Sequence, residues 1–220
     1  MKIILKVDDF WGPTKRFSDF FKLIADLNIK ICLGIVGKGA VKMTPEQCAE
    51  IIGLNKNIEI FNHSWAHIIS DEIKEFWHTD VYYQAYSLRV TNKIIKEKFG
   101  VDCEVVGFPA NAFSENTLEI LSKFPDIKRV FYLKGWNHYD ELSALKKIID
   151  INSNGAIETD MKVDVNRLKG AFESGVFSDK EVITFQLHPS AWSEQSFGEF
   201  KSCLDFLIAL GAEFIFTNQL

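Results

Sequence analysis

Cysteine is scarce and scattered: Cys32, Cys48, Cys103 and Cys203 include no Cys-x-x-Cys pair. That spacing excludes a disulfide framework or a zinc knuckle and leaves free buried thiols, as expected in a reducing compartment. Positive charge is also short, with 25 Lys and Arg against 30 Asp and Glu for a net charge of −5. Such a balance offers nothing to nucleic acid or to an anionic membrane. No apolar run reaches transmembrane length, so no stable membrane insertion is expected. No basic and apolar leader precedes the first strand, which begins almost at Met1; a cytoplasmic location is the expectation. Gly-rich phosphate loops, nucleophile elbows, internal repeats and low-complexity linkers are all missing.

What remains is an ordinary globular composition, 47% hydrophobic and 25% charged. A chain of 220 residues reads most simply as one domain spanning 1–220, long enough for a sizeable core. Most of the 19 Phe and 5 Trp belong in that core.

Strand and helix patterns alternate along the chain. Ile3 to Val7 is an apolar, β-branched run of strand length, followed by Phe17, Phe20, Phe21, Ile24 and Leu27 at helical spacing. Strands are predicted at Lys30–Val36, Asn57–Phe61, Cys103–Phe108, Lys128–Leu133, Lys147–Ile151, Val182–Leu187 and Glu213–Thr217. Helices are predicted after Thr44-Pro45, over 79–98, over Ser114–Lys123, around Leu142–Ala144, within Val163–Phe172 and over Ser193–Leu210. Residues 152–155 form a polar stretch. The pattern predicts an α/β fold, a parallel (β/α) barrel of seven or eight strands, irregular in its middle. An open doubly wound sheet is the alternative.

In a parallel barrel the residues just past the strand ends converge on one face. Strand one ends there on Asp8 and Asp9, strand three on His63 with His67, strand four on Pro109 and Ala110, and the late strand on His188 with Pro189. Two adjacent acids at a buried strand end repel unless a cation or a shared proton separates them. Taken alone, the pair also reads as a solvated turn. Histidines four apart in His63-Ser64-Trp65-Ala66-His67 reach one ion if the segment turns helically, or else are a pair of half-exposed loop imidazoles. One Asp and two His would form a three-ligand set with room for water, leaving the second Asp free as a base.

These residues resemble the polysaccharide deacetylases, the carbohydrate esterases of the NodB-homology type. The family's Thr-Phe-Asp-Asp-Gly motif is similar to Lys6-Val7-Asp8-Asp9-Phe10, and its His-Ser/Thr-x-x-His motif is matched by His63, Ser64 and His67. Its Leu-x-His motif resembles Gln186-Leu187-His188, and Leu-Gly-Ala-Glu-Phe-Ile-Phe-Thr (210–217) looks like its terminal strand. The resemblance implies a distorted (β/α) barrel. Asp9, His63 and His67 would hold zinc or another divalent ion such as Co2+, Ni2+ or Mn2+, with Asp8 as general base. The backbone N–H of Ala110, after Pro109, would help hold the oxyanion, and His188 would protonate the leaving amine.

Two motifs depart. The family's Arg-x-Pro-Tyr is here Gly107-Phe108-Pro109-Ala110, so the arginine that orients the base is missing, with Lys6, Arg16 and Arg89 as candidate substitutes. The family's acid–tryptophan segment has no clean counterpart, and Asp160 or Asp164 is expected in its place. Trp11, Trp65 and Trp192 flank proposed site residues and are candidates for sugar-stacking walls or for packing. Asn111 is a candidate for binding substrate hydroxyls or for a turn.

The resemblance thus implies a metal-dependent deacetylase acting on the N-acetyl group of a sugar. The expected substrate is nucleotide- or lipid-linked, in intracellular synthesis of an O-antigen-like or capsule-like surface polysaccharide. The alternatives are a carbohydrate-binding pseudoenzyme and a hydrolase of a non-sugar amide. Oligomeric state is not legible.

Overall fold

The computed structural model describes residues 1–153 and 155–220, so that Asn154 of the polar 152–155 stretch lies outside the described residues. In chain order the elements are β1 (Lys2–Phe10), α1 (Lys15–Asp26), β2 (Ile31–Ile35), α2 (Gly37–Ala40), α3 (Pro45–Gly53), β3 (Ile58–Asn62), α4 (Val81–Phe99) and β4 (Val105–Gly107). There follow α5 (Glu115–Ser122), β5 (Arg129–Tyr132), α6 (Tyr139–Leu145), β6 (Lys147–Asp150), β7 (Glu158–Thr159), β8 (Lys162–Val163), α7 (Val165–Glu173), β9 (Val182–Leu187), α8 (Glu194–Ala209) and β10 (Glu213–Phe214). The main sheet is parallel and runs β9-β1-β2-β3-β4-β5-β6, with β10 paired to the first residues of β1. It curls into a nearly closed barrel flanked by helices, as the strand–helix alternation predicts.

The helices begin where their caps fall. Thr14 accepts from the Phe17 N–H at 3.2 Å and opens α1, whose Phe17, Phe20, Phe21 and Ile24 all face inward. Thr44 and Gln47 form a reciprocal capping box on α3. α4 starts at Asp80 and stops at Gly100, which adopts the left-handed conformation at φ 73°.

Among the described residues no ladder joins β6 to β9, and a side chain bridges the gap instead. The Asn152 amide donates to the Val182 carbonyl at 2.9 Å and accepts from the Thr184 N–H at 2.9 Å. One primary amide thereby satisfies the edge groups that a strand would have paired.

Ile4, Cys32, Phe61, Val105, Phe131, Ile149, Ile151 and Ile215 form one buried cluster. Lys6 joins Phe61 and Phe131, with its ammonium 5.6 and 5.7 Å from their ring centres. Glycines make that room. A Cβ on Gly34 would stand 2.5 Å from the Phe61 ring, and one on Gly107 would stand 2.8 Å from Phe61 and 3.1 Å from Lys6 Cε.

Two predicted strands are shorter than expected, and one short helix is additional. The predicted strand 103–108 pairs only over Val105–Gly107, because Pro109 follows at once and has no N–H for a ladder. The predicted strand 213–217 ends at Phe214. Its Thr217 is drawn instead to Glu59, which accepts from the Thr217 N–H at 2.7 Å and from its hydroxyl at 2.9 Å. The short helix α2 was not foreseen, since two glycines in four residues argue against a helix by propensity. All four cysteines are free and buried. Among the described residues no helix is long and apolar enough to cross a membrane.

Candidate active site

In a regular strand neighbouring side chains point to opposite faces, so adjacent carboxylates should not share a site. β1 escapes this rule at its end. Its register against β2 shifts between Val7 and Phe10, and Asp9 takes a left-handed backbone at φ 62°. A bulge of this kind re-aims a side chain, and both acids reach the barrel mouth.

Asp8 lies on the same face as Lys6, two residues earlier. It is buried, and its Oδ2 receives the Lys6 ammonium and the Gln186 side-chain amide, the latter at 2.6 Å. His188 Nε2 stands 3.7 Å from the same oxygen. The other oxygen, Oδ1, is buried without a hydrogen-bond partner among the described residues. Burial pushes the Asp8 carboxyl up, but the Lys6 ammonium, with His63 and His188, outweighs it and holds the group below the usual carboxylate range. Asp8 is therefore a buried, ionised carboxylate with one oxygen anchored and the other without a partner among the described residues.

Asp9 faces the histidines. Its Oδ1 is 3.2 Å from His63 Nε2 and 2.7 Å from His67 Nε2. Burial raises its carboxyl, and hydrogen bonds from His63 and His67, made when their facing ring nitrogens carry protons, overcome that and lower it. His63 Nδ1 sits 2.6 Å from the Gly107 carbonyl. A carbonyl only accepts, so Nδ1 carries a proton, and in the neutral imidazole Nε2 has a lone pair. That lone pair points at a carboxylate oxygen, a contact between two acceptors that needs a proton or a cation between them. The ligand atoms of Asp9, His63 and His67 all lie within 4.8 Å of one another. Tetrahedral zinc with bonds of about 2.0–2.2 Å requires donor atoms spaced by roughly 3.3 Å. The donors, their spacing and the fixed tautomer all fit a divalent ion.

The loop carrying His67 is fixed from two sides. The Gly37 and Lys38 N–H groups at the start of α2 donate to the Ser64 and Trp65 carbonyls at 2.9 and 2.8 Å. The Ser64 hydroxyl accepts from the His67 N–H at 3.0 Å. Gly37 packs so closely on Thr91 and Trp65, and Gly39 on the Trp11 backbone, that a Cβ at either would overlap them.

His188 is held by an acid that its neighbours in sequence do not reveal. Glu158, on the β7–β8 hairpin, accepts from the His188 N–H at 2.9 Å, from its Nδ1 at 2.5 Å and from Trp192 Nε1 at 2.6 Å. Burial would push the His188 imidazole down; the hydrogen bond to Glu158 and the nearby Asp8 charge outweigh it and raise it. Neither Asp160 nor Asp164 takes the expected place beside the histidine. Asp160 is exposed, and Asp164 caps α7 through the Asn166 and Arg167 N–H groups. For a histidine acting as an acid, a raised pKa preserves activity to higher pH. Glu158→Gln is therefore expected to move the basic limb of a kcat/KM profile down by about one pH unit, checked by rate measurements across pH 6–10.

Of the three cations considered for the missing arginine, Lys6 alone reaches Asp8. Arg16 pairs with Glu194 at 2.6 Å and Arg89 lies over the Phe124 ring. Pro109, Ala110 and Asn111 form a tight turn after β4, with left-handed backbone at Ala110 (φ 54°) and Asn111 (φ 51°). Asn111 donates to Gln186 Oε1 at 3.0 Å and so joins the chain Asn111–Gln186–Asp8. Trp11 is 43% exposed with its ring steeply inclined to that of His67, and Trp65 is half-buried beside Tyr86. Trp192 is not a wall of the cleft: it is buried against Phe20 and Phe200 and supports Glu158. A cleft of about 290 Å³ lined by Leu133, Ile151, Glu158, Gln186 and His188 among others opens beside this cluster.

Gln186 was legible in principle, since it lies two residues before His188 and so on the same face of β9. Glu158 was not, because a two-residue strand has no readable period.

No protein-family model matches the chain, and no curated protein matches it. Solved structures do. A family 4 acetyl xylan esterase from Clostridium thermocellum, in complex with a cobalt ion, is 16% identical, with a TM-score of 0.67 over 98% of this chain and 87% of that one. The catalytic domain of a peptidoglycan N-acetylglucosamine deacetylase from Eubacterium rectale is 18% identical, with a TM-score of 0.62 over 98% and 89%. A CE4 family pseudoenzyme from Bacillus anthracis is 13% identical, with a TM-score of 0.63 over 96% and 61%. At these identities the likeness establishes the fold: the chain has the distorted barrel of the family 4 carbohydrate esterases.

Proposed function

We infer that the chain is a metal-dependent deacetylase that hydrolyses the N-acetyl group of a sugar. The observation that carries this is the Asp8 carboxylate, buried and ionised by Lys6, with one oxygen left unpartnered beside the Asp9, His63 and His67 cluster. A divalent ion held by those three residues would supply a Lewis acid for the acyl oxygen and lower the pKa of a water. Zinc suits the donor set, and Co2+, Ni2+ or Mn2+ share it.

The protein's own groups do the rest. Asp8 takes a proton from the attacking water, with Lys6 and Gln186 keeping the carboxylate charged and aimed. The Ala110 N–H is offered to the oxygen that gains charge as water adds to the carbonyl carbon. His188, held protonated by Glu158, gives its proton to the nitrogen as the C–N bond breaks. Acetate and the free amino sugar result. Trp11 and Trp65 offer aromatic faces for a sugar ring, and Asn111 a polar one.

A nucleotide- or lipid-linked sugar of a surface polysaccharide, handled in the cytoplasm, is the proposed substrate. The pseudoenzyme alternative is favoured by Gly107, where the resembled family carries arginine, and opposed by Lys6 on Asp8. The test is acetate release from a panel of free, nucleotide-linked and lipid-linked N-acetyl sugars by zinc-loaded and chelator-stripped protein. Release by the loaded form only supports the deacetylase. Metal uptake with no release from any sugar, or release from non-sugar amides alone, overturns it.

A further inference from the structure

Glu75 is fully buried in the irregular segment between β3 and α4, and no Lys, Arg or His is among its hydrogen-bond partners. Burying a carboxylate is costly unless hydrogen bonds replace the water it loses. Four donors do so here, and three come from one place. Oε1 accepts from the Trp65 and Ala66 N–H groups at 3.2 and 3.3 Å, and Oε2 accepts from the Ile68 N–H at 3.0 Å. The fourth is the Ser87 hydroxyl of α4, at 2.6 Å from Oε1, which also accepts from the Trp65 N–H at 2.9 Å.

Those N–H groups bracket His67 along the chain. The same loop has left-handed backbone at Ser64 (φ 75°) and His67 (φ 49°). Such a conformation costs a non-glycine residue free energy and persists only where its surroundings over-determine it. Without the carboxylate, the half-buried Ala66 and Ile68 N–H groups lose their partner, the Trp65 N–H keeps only the Ser87 hydroxyl, and the loop is free to relax. His63 would be spared, because it is anchored separately through Nδ1 to Gly107 and lies at the end of β3.

We propose that Glu75 is a positioning residue that clamps the 64–68 loop and thereby holds the His67 imidazole on the metal. The inference rests on Asp9, His63 and His67 being the ligands, and it reaches a residue outside every motif of that site. Its effect runs through one ligand of the three, which separates it from general support of the fold.

The test uses Co2+ as both ligand and probe. Glu75→Gln keeps the shape but turns an acceptor into a donor facing backbone N–H groups. The variant is expected to bind Co2+ about 10- to 100-fold more weakly by calorimetry, the range for groups that orient ligands. The visible spectrum of bound Co2+ should move toward that of His67→Ala at saturating metal. Ser87→Ala, which removes one of the four donors, should move both readouts the same way by less, and it stands in if Glu75→Gln does not fold. Wild-type affinity, or weakened affinity with a wild-type Co2+ spectrum, overturns the inference. Wild-type protein that takes up no Co2+ overturns the metal site itself. Binding without acetate release leaves Glu75 in place and removes only the proposed activity.

Discussion

Lys6→Met is expected to lower kcat by about 10²- to 10³-fold and to change KM by less than about threefold. The ammonium touches Asp8 and the aromatic rings of Phe61 and Phe131, and it lies below the site at zero exposure. Substrate has no path to it, so its removal should not weaken binding directly. Its loss leaves a buried carboxylate with only the Gln186 amide on Oδ2. The ordinary response of such a group is to take up a proton and cease to be a base. Breaking a buried pair from one side also costs about 3–5 kcal/mol of stability, so the variant should melt well below wild type.

A second variant separates the electrostatic effect from the packing one. Gly107 is the position at which the resembled family carries arginine, and its missing side chain is what admits Lys6 Cε and the Phe61 ring. In Lys6→Met/Phe61→Leu/Gly107→Arg, which also removes the ring atoms that a Cβ at 107 would meet at 2.8 Å, the cation returns from β4 instead of β1. Recovery of at least about tenfold of the lost kcat, measured by acetate release with folding checked by circular dichroism, is the expected result. A single Lys6→Met variant with wild-type kcat would mean that Asp8 needs no cation at all.

The exchange between positions 6 and 107 shows what a sequence does and does not disclose. The residues that matter most were legible because they lie at the ends of strands of recognisable pattern: Asp8, Asp9, His63 and His188 follow apolar runs, whereas His67, expected one helical turn on, is reached through an irregular loop with left-handed backbone at Ser64 and His67. Lys6 stood in plain view as the single charge inside an apolar run, yet a lysine in a first strand reads equally well as a solvated edge. Only the barrel's closure turns it inward. Glu158 and Glu75 were not legible for a different reason. Both sit in irregular chain, one in a two-residue strand and one in a segment with a single isolated bridge. Neither position carries a periodicity that says which way its side chain points. The barrel was foreseen from alternation, whereas its seam depends on one asparagine amide that no pattern marks.

Asp8→Asn is expected to have the largest effect, a loss of kcat of about 10³-fold or more with divalent-metal affinity within about threefold of wild type. The substitution preserves the shape of the side chain and an oxygen for Gln186, so the cleft should stay intact. What disappears is the carboxylate whose buried oxygen, unpartnered among the described residues, is available to take a proton from water. A binding protein without turnover would instead keep its sugar affinity and have no rate to lose, and equal sugar binding by both forms with no acetate from either would favour it. Stability supplies an independent check. Asn leaves the Lys6 ammonium buried without its counter-charge, so Asp8→Asn should lower Tm. Adding Lys6→Met removes both charges, and replacing a whole buried ion pair is often neutral. The double variant should therefore regain Tm while remaining inactive. Recovered stability together with recovered acetate release would place the base elsewhere, since no carboxylate would remain at position 8 to perform the step.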